Sequence, residues 1–154
     1  MAERRIGRSG GGAQKSYKGR RVAYETLNRV LLGGGWSNAL LASALDDDEL
    51  SPEDKSAAAG LVYGVLRNLT LLDEVLRAKT DRGRLGISPK ALNLGRMAAF
   101  EILFLSSIPR YATVSEFVKM AKEDVSRQES HFLNACLRRV RRSDRDAIVR
   151  SVRD

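Results

Sequence analysis

Apolar positions recur with a period near 3.6 residues along most of this chain, the spacing of helices with one buried face. Val22, Ala23, Leu27, Val30 and Leu31 give the first such stripe, stopped by Gly33, Gly34 and Gly35. Trp36, Leu40, Leu41, Ala44 and Leu45 mark a second, short helix, and Asp46, Asp47 and Asp48 form its solvated exit. Ser51-Pro52-Glu53-Asp54 is a helix start: Ser51 suits the N-cap, Pro52 the first turn, and the two acids meet the positive helix end. The helix it opens carries Ala58, Leu61, Val62, Val65, Leu66 and Leu69. Gly60 and Gly64 lie on one face of it, where glycine costs stability unless another backbone approaches closely.

A bend is expected near Asn68-Leu69-Thr70, and a turn over residues 81–86. Ser88-Pro89 opens the most apolar helix, with Leu92, Met97, Phe100, Leu103 and Phe104; it is the expected centre of the fold, and Ile108-Pro109 ends it. Thr113 with Glu116, and Ser143 with Asp146, read as capping boxes for two later helices. Between them a helix from about Arg127 buries Phe132, Leu133, Cys136, Leu137 and Val140. Short connections, about seven helices and no strand pattern predict a single compact all-α domain over residues 17–154. Residues 1–16, basic and glycine-rich with almost no apolar side chains, are expected to be a flexible segment.

Composition agrees. Hydrophobic residues make up 43% of the 154 and aromatics only 6%, so leucine and alanine must build the core, which favours packed helices over a sheet. Cys136 is the only cysteine, so no internal disulfide or thiolate metal cluster can form within one chain. His131 is the only histidine, too few for a usual zinc site or a Ser-His-Asp set; a helix-surface role is expected for it, and a buried apolar role for Cys136. The carboxylates fall in no catalytic motif. No catalytic residue, cofactor or metal is therefore assigned, and the chain is not expected to be an enzyme. Residues 92–108 are interrupted by Asn93, Arg96 and Glu101 and fall short of a membrane span. Arg96 and Glu101 are each expected to reach a neighbouring helix. With no apolar stretch after the basic start, no signal peptide is expected, and the cytoplasm is the expected compartment.

Charge changes the picture most. Residues 1–21 hold seven Lys/Arg and one acid, and residues 138–154 hold seven Arg and three Asp, so the ends carry +6 and +4 of a net +8. The remainder is −2. A near-neutral centre between basic ends is the footprint of a polyanion partner, with nucleic acid as the leading expectation.

Four stretches then carry a resemblance. They are RRVAYETLNRVLLGGGWSNALL (residues 20–41), DKSAAAGLVYGVLRNLTLLDEVL (54–76), LGRMAAFEILFLSSIPRYATVSEFVKMAK (94–122) and FLNACLRRVRR (132–142). In order and spacing they resemble the NusB-like helical family. That family occurs as a standalone bacterial transcription antitermination factor and as the N-terminal RNA-binding domain of bacterial 16S rRNA cytosine-C5 methyltransferases. LVYGVLR (61–67) and FLNACLRR (132–139) look more like the methyltransferase branch. Yet the chain has neither a glycine-rich loop after a strand for S-adenosylmethionine nor a Pro-Cys nucleophile motif.

The resemblance implies an RNA-binding domain that docks 16S rRNA for methylation by a covalently attached or separate domain. The alternative it implies is an antitermination factor binding leader RNA with ribosomal protein S10. A protein-interaction module or homodimer, using small residues such as Gly60 and Gly64, is the remaining reading. The RNA-binding candidates are Lys15, Lys18, Arg20 and Arg21 near the first helix and Arg138, Arg141 and Arg142 near the last. Arginine offers phosphate a planar donor fork and lysine a mobile point charge. On a helix Arg138, Arg141 and Arg142 cluster, while Arg139 points elsewhere. Trp36 is expected to be partly buried, and Arg67 and Asp73 to serve in structural pairing or capping.

Overall fold

The computed structural model describes residues 18–33, 38–81 and 83–153. Lys15, the expected flexible segment and Trp36 lie outside the described residues. Among the described residues there are eight helices and no strand. They are α1 (residues 18–32), α2 (Asn38–Leu45), α3 (Pro52–Arg67), α4 (Leu69–Ala78), α5 (Pro89–Phe104), α6 (Arg110–Asp124), α7 (Arg127–Leu137) and α8 (Ser143–Arg153). Contacts divide the chain into two compact units, Met1–Tyr63 and Gly64–Asp154.

In the first unit, Ser51 and Asp54 form the reciprocal cap expected at the start of α3. The Asp54 N–H donates to Ser51 Oγ at 3.1 Å, and the Ser51 N–H to Asp54 Oδ2 at 3.4 Å. The close backbone approach in this unit is made at Gly19 of α1, where a Cβ would stand 3.0 Å from the Asp54 carbonyl oxygen. A Cβ at Gly60 would meet nothing within 4 Å, so no close backbone approach is made there. The Tyr63 hydroxyl donates to Asn38 Oδ1 at 3.0 Å, tying α3 to α2.

In the second unit α5 is central and meets α4, α6, α7 and α8. Leu94, Met97, Ala98 and Leu103 of α5 are fully buried, as are Leu72 of α4, Phe117 and Met120 of α6, and Leu137 of α7. What fills the space at Gly64 is the ring of Phe100, itself stacked on Phe104 with centroids 5.0 Å apart. Asn68 sits at the bend between α3 and α4, its Nδ2 donating to the Gly64 carbonyl at 2.8 Å. Ser88 caps α5 as expected, accepting from the Ala91 N–H at 3.3 Å, and Ser126 caps α7 by accepting from the Glu129 N–H at 3.1 Å. Glu129 in turn accepts from the Ser88 N–H and hydroxyl at 2.9 and 2.7 Å, which joins the starts of α5 and α7.

Arg96 and Glu101 of α5 both reach neighbouring helices, as expected. Arg96 makes a two-pronged pair with Asp73 of α4, Nε to Oδ1 and Nη2 to Oδ2, each 2.8 Å. Buried Glu101 accepts from the Thr113 hydroxyl of α6 at 2.8 Å.

That last bond corrects the capping box expected at Thr113 and Glu116. The helix begins at Arg110 after Pro109, so Thr113 is already inside it and turns toward Glu101. The second box is shifted as well. Ser143 is the first helical residue of α8, and it is Asp144 that reaches back, accepting from the Arg141 N–H at 2.6 Å. Asp144 also pairs with Lys79 of α4 at 3.0 Å, and the Arg145 guanidinium lies 5.2 Å from the Phe104 ring centroid, so α8 is fastened along the α4–α5 side.

Candidate nucleic-acid interface

The predicted basic residues fall into two groups. At the start of α1, Lys18 is exposed and Arg21 half-buried, and Arg21 is already engaged with other groups of the protein. Arg20 is only 5% exposed and is also engaged, so its guanidinium does not present the solvent-facing phosphate fork expected of it. It follows Gly19, the residue that abuts the α3 backbone, and this close packing takes Arg20 out of the surface set.

The second group also differs in shape from the helical cluster expected. Helix α7 stops at Leu137, and residues 138–142 form a turn before α8. Buried Val140 anchors that turn. Arg110 of α6 fastens it too, its Nη1 donating to the carbonyls of Val140 at 2.9 Å and Arg138 at 3.2 Å. These bonds satisfy carbonyls of the turn just beyond α7 and place a cation near the negative end of that helix. Arg138, Arg141 and Arg142 are all exposed on the turn. Arg139 does point elsewhere: its Nη1 donates to the Lys79 carbonyl and to Asp81 Oδ1, each at 3.2 Å.

Beside this turn lies a feature the sequence reading missed. A groove of about 910 Å³ runs between α6 and α7. Val114 and Val118 contribute its apolar wall, Ser115, Ser130 and Asn134 its neutral hydrogen-bonding groups, and Arg110, Lys119, Lys122 and Arg138 its charge. No carboxylate is among its lining residues. Tyr111 stands at the groove with 78% of its surface exposed. Of the predicted site residues only Arg138 belongs to this groove, and exposed His131, expected on a helix surface, lines it as well. A signal was present in Tyr111, an aromatic placed directly after the Pro109-Arg110 helix start and outside the apolar stripe.

Cys136 is buried as expected, its Sγ donating to the Leu76 carbonyl at 3.5 Å. Burial pushes its thiol up to about 11 from an ordinary 9.0, against a smaller opposing pull from Arg139 and Lys79. At pH 8 the native protein therefore holds about a hundredfold less thiolate than the unfolded chain. Alkylation by iodoacetamide is expected to be slower by at least that factor in native protein than in guanidinium, read by mass spectrometry over a time course. Equal rates would show that Cys136 is not enclosed. Among the described residues no group of three or more His, Cys, Asp or Glu could hold a metal ion, and no helix is long and apolar enough to cross a membrane.

The family model described as the NusB family matches residues 18–142, a span that includes both the α6–α7 groove and the arginine turn. The chain belongs to the NusB family. Helix α8 lies beyond the matched residues. A Bacillus subtilis protein named probable ribosomal RNA small subunit methyltransferase B is 31% identical over 123 residues, which is 80% of this chain and 27% of that protein. This chain thus spans about a quarter of the length of the methyltransferases it matches. The transcription antitermination protein NusB of Sorangium cellulosum is 29% identical over 133 residues, 83% of this chain and 95% of that one.

Among solved structures, NusB of T. maritima superposes with a TM-score of 0.72 at 22% identity, over 81% of this chain and 89% of that chain. A structure of the antitermination factors NusB and NusE in complex with double-stranded RNA matches with a TM-score of 0.67 at 20% identity. It covers 88% of this chain and 97% of that chain. The all-helical architecture is the NusB fold.

Proposed function

We propose that this NusB-family chain binds RNA as an antitermination-type factor, holding leader RNA together with a NusE-type partner, ribosomal protein S10. The observation that carries this reading is the fold match to solved NusB structures, one of them determined with NusE and RNA. The exposed arginine turn, Arg138, Arg141 and Arg142, supports it as the phosphate-facing surface, with Lys18 and Arg21 as further candidates and Lys15 beyond the described residues. Phosphate contacts of this kind position RNA and carry no sequence information by themselves.

A second reading keeps the methyltransferase branch, favoured by the 31% identity to the B. subtilis protein. In that case the chain docks 16S rRNA for cytosine-C5 methylation carried out by another domain. The sequence motifs favour this reading, and the likeness to solved NusB structures favours the first.

Titration of residues 1–154 with a leader RNA and a 16S rRNA hairpin, each with and without S10, separates the two. Preference for the leader, strengthened by S10, is the expected result. Preference for the hairpin, indifferent to S10, favours the second reading, and absence of binding to either RNA at low salt overturns both. Replacing Arg138, Arg141 and Arg142 together by alanine is expected to weaken RNA binding and to flatten the plot of log K against log salt by about 2. An unchanged slope would remove the turn from the interface.

A further inference from the structure

We infer that the α6–α7 groove is a slot for single-stranded RNA, in which an unpaired base stacks on Tyr111 and the adjoining phosphates meet Lys122 and Arg138. This rests on the RNA reading above and gives it a place and a mode.

Four observations converge on that occupant. The groove carries positive charge on both sides, Lys122 from α6 and Arg138 from the turn that follows α7, and has no carboxylate lining residue to oppose an anion. A large aromatic, Tyr111, stands 78% exposed at the groove, where burial in the protein contributes little to holding it. Asn134 and His131 add side-chain hydrogen-bonding groups beside the cations. Finally, about 910 Å³ is the scale of a site for a short segment, near the top of the roughly 300–1,000 Å³ range of ligand clefts.

A cationic groove with an exposed aromatic is the general solution for binding single strands, because every base has a face that can stack while phosphates track the charge. An acidic peptide would meet the same cations, but it has no need of the exposed ring. A paired base, stacked within its helix, cannot lay its face on Tyr111, so the slot selects unpaired segments. The groove is built to hold its form. Arg110 bonds two carbonyls of the turn that follows α7, and Val114 of α6, which lines the slot, is largely buried.

The test is fluorescence anisotropy of the full chain with a labelled 12-nucleotide single strand, the matching duplex and a glutamate-rich peptide, each across a salt series. Tyr111→Ala is expected to weaken single-strand binding about tenfold with an unchanged salt slope, the scale of one lost base–aromatic stack. Tyr111→Phe, which keeps the ring, is expected to bind like the parent. Lys122→Glu is expected to weaken binding and to lower the salt slope by about 0.7 or more. Tyr111 should also be recovered in photo-crosslinks to a 4-thiouridine-labelled strand.

If the parent binds RNA and Tyr111→Ala binds it equally well, the slot inference falls and the RNA reading stands. If the parent binds the duplex as tightly as the single strand, stacking on an unpaired base is overturned. Should the peptide bind tightly, with sensitivity to Lys122→Glu alone and no RNA bound, both the slot and the RNA reading fall in favour of a protein partner. Melting curves of the variants guard the result, since a residue as exposed as Tyr111 contributes little to stability.

Discussion

Gly64→Ala is expected to destabilise the protein by about 2 kcal/mol, although alanine is the better helix former by about 1 kcal/mol. A Cβ at Gly64 would intrude on the Phe100 ring, with even Cε2 only 2.7 Å away. The ring cannot swing aside without cost, because it is stacked on Phe104 with planes 21° apart, and the Arg145 guanidinium lies over Phe104 in turn. Overpacking of this kind costs about 1–3 kcal/mol and exceeds the propensity gain. Gly60→Ala, one turn earlier on the same helix with nothing within 4 Å, is expected to stabilise by up to about 1 kcal/mol.

Urea unfolding of the two variants should move the midpoints in opposite directions at equal m. In a double-mutant cycle the penalty at Gly64 should largely vanish on a Phe100→Ala background, since the two residues share the contact. Effects of opposite sign at the two glycines are what distinguish a packing role from simple helix flexibility. If both alanines stabilise, the ring moves freely and the packing account is wrong.

The paired glycines also mark how far the sequence could be read. The cost of glycine in a helix predicts a close backbone neighbour at both positions, and at Gly64 the neighbour is a side chain instead. That it is a ring, and that Gly60 faces open space, was not legible, because only tertiary packing distinguishes two residues on one helical face. Local signals were read well for a physical reason: the caps at Ser51 and Ser88 join groups three residues apart and need no other part of the chain. Thr113 was misread because the same hydroxyl had a distant alternative, the Glu101 carboxylate twelve residues back in sequence and buried beside it.

For the candidate site the balance is poorer. The two basic ends were evident, but a count of charge cannot tell Arg20, buried next to Gly19, from Lys18, exposed. Nor could it show that Arg138 to Arg142 form a turn, since Val140 continues the apolar stripe of α7 and suggests more helix. The groove escaped because its walls come from α6 and α7, and Tyr111 and Arg138 meet it only after those helices pack. The family was legible because motif order survives where single contacts do not. The choice between its branches rests on likeness to particular relatives, with LVYGVLR and FLNACLRR on one side and the solved NusB structures on the other, and no single residue here decides it.

Asp73→Ala is expected to cost about 2–3 kcal/mol, the largest effect of any single substitution considered for this fold. The Arg96 guanidinium is held by both Asp73 oxygens at 2.8 Å and by Asn93 Oδ1 at 3.0 Å, so the α4–α5 contact has a charge-assisted clamp of fixed geometry. The two side chains are 15% and 16% exposed. That is too enclosed for the near-zero worth of a surface pair, and open enough to lie below the roughly 3–5 kcal/mol seen when a wholly buried pair is broken. Removal of Asp73 strands a guanidinium in a half-buried site with one of its partners gone, and most of the penalty arises from that stranded charge. An apolar replacement of both residues, Asp73→Leu with Arg96→Met, should therefore recover more than half of the loss, because it removes the desolvated charge along with the pair. The measurement is guanidinium-free unfolding in urea at low and at 0.5 M salt. A clamp of this burial should weaken only slightly with salt, whereas loss of most of the effect at 0.5 M would mean that Asp73 and Arg96 behave as an exposed ion pair and that α4 is held to α5 by apolar packing alone.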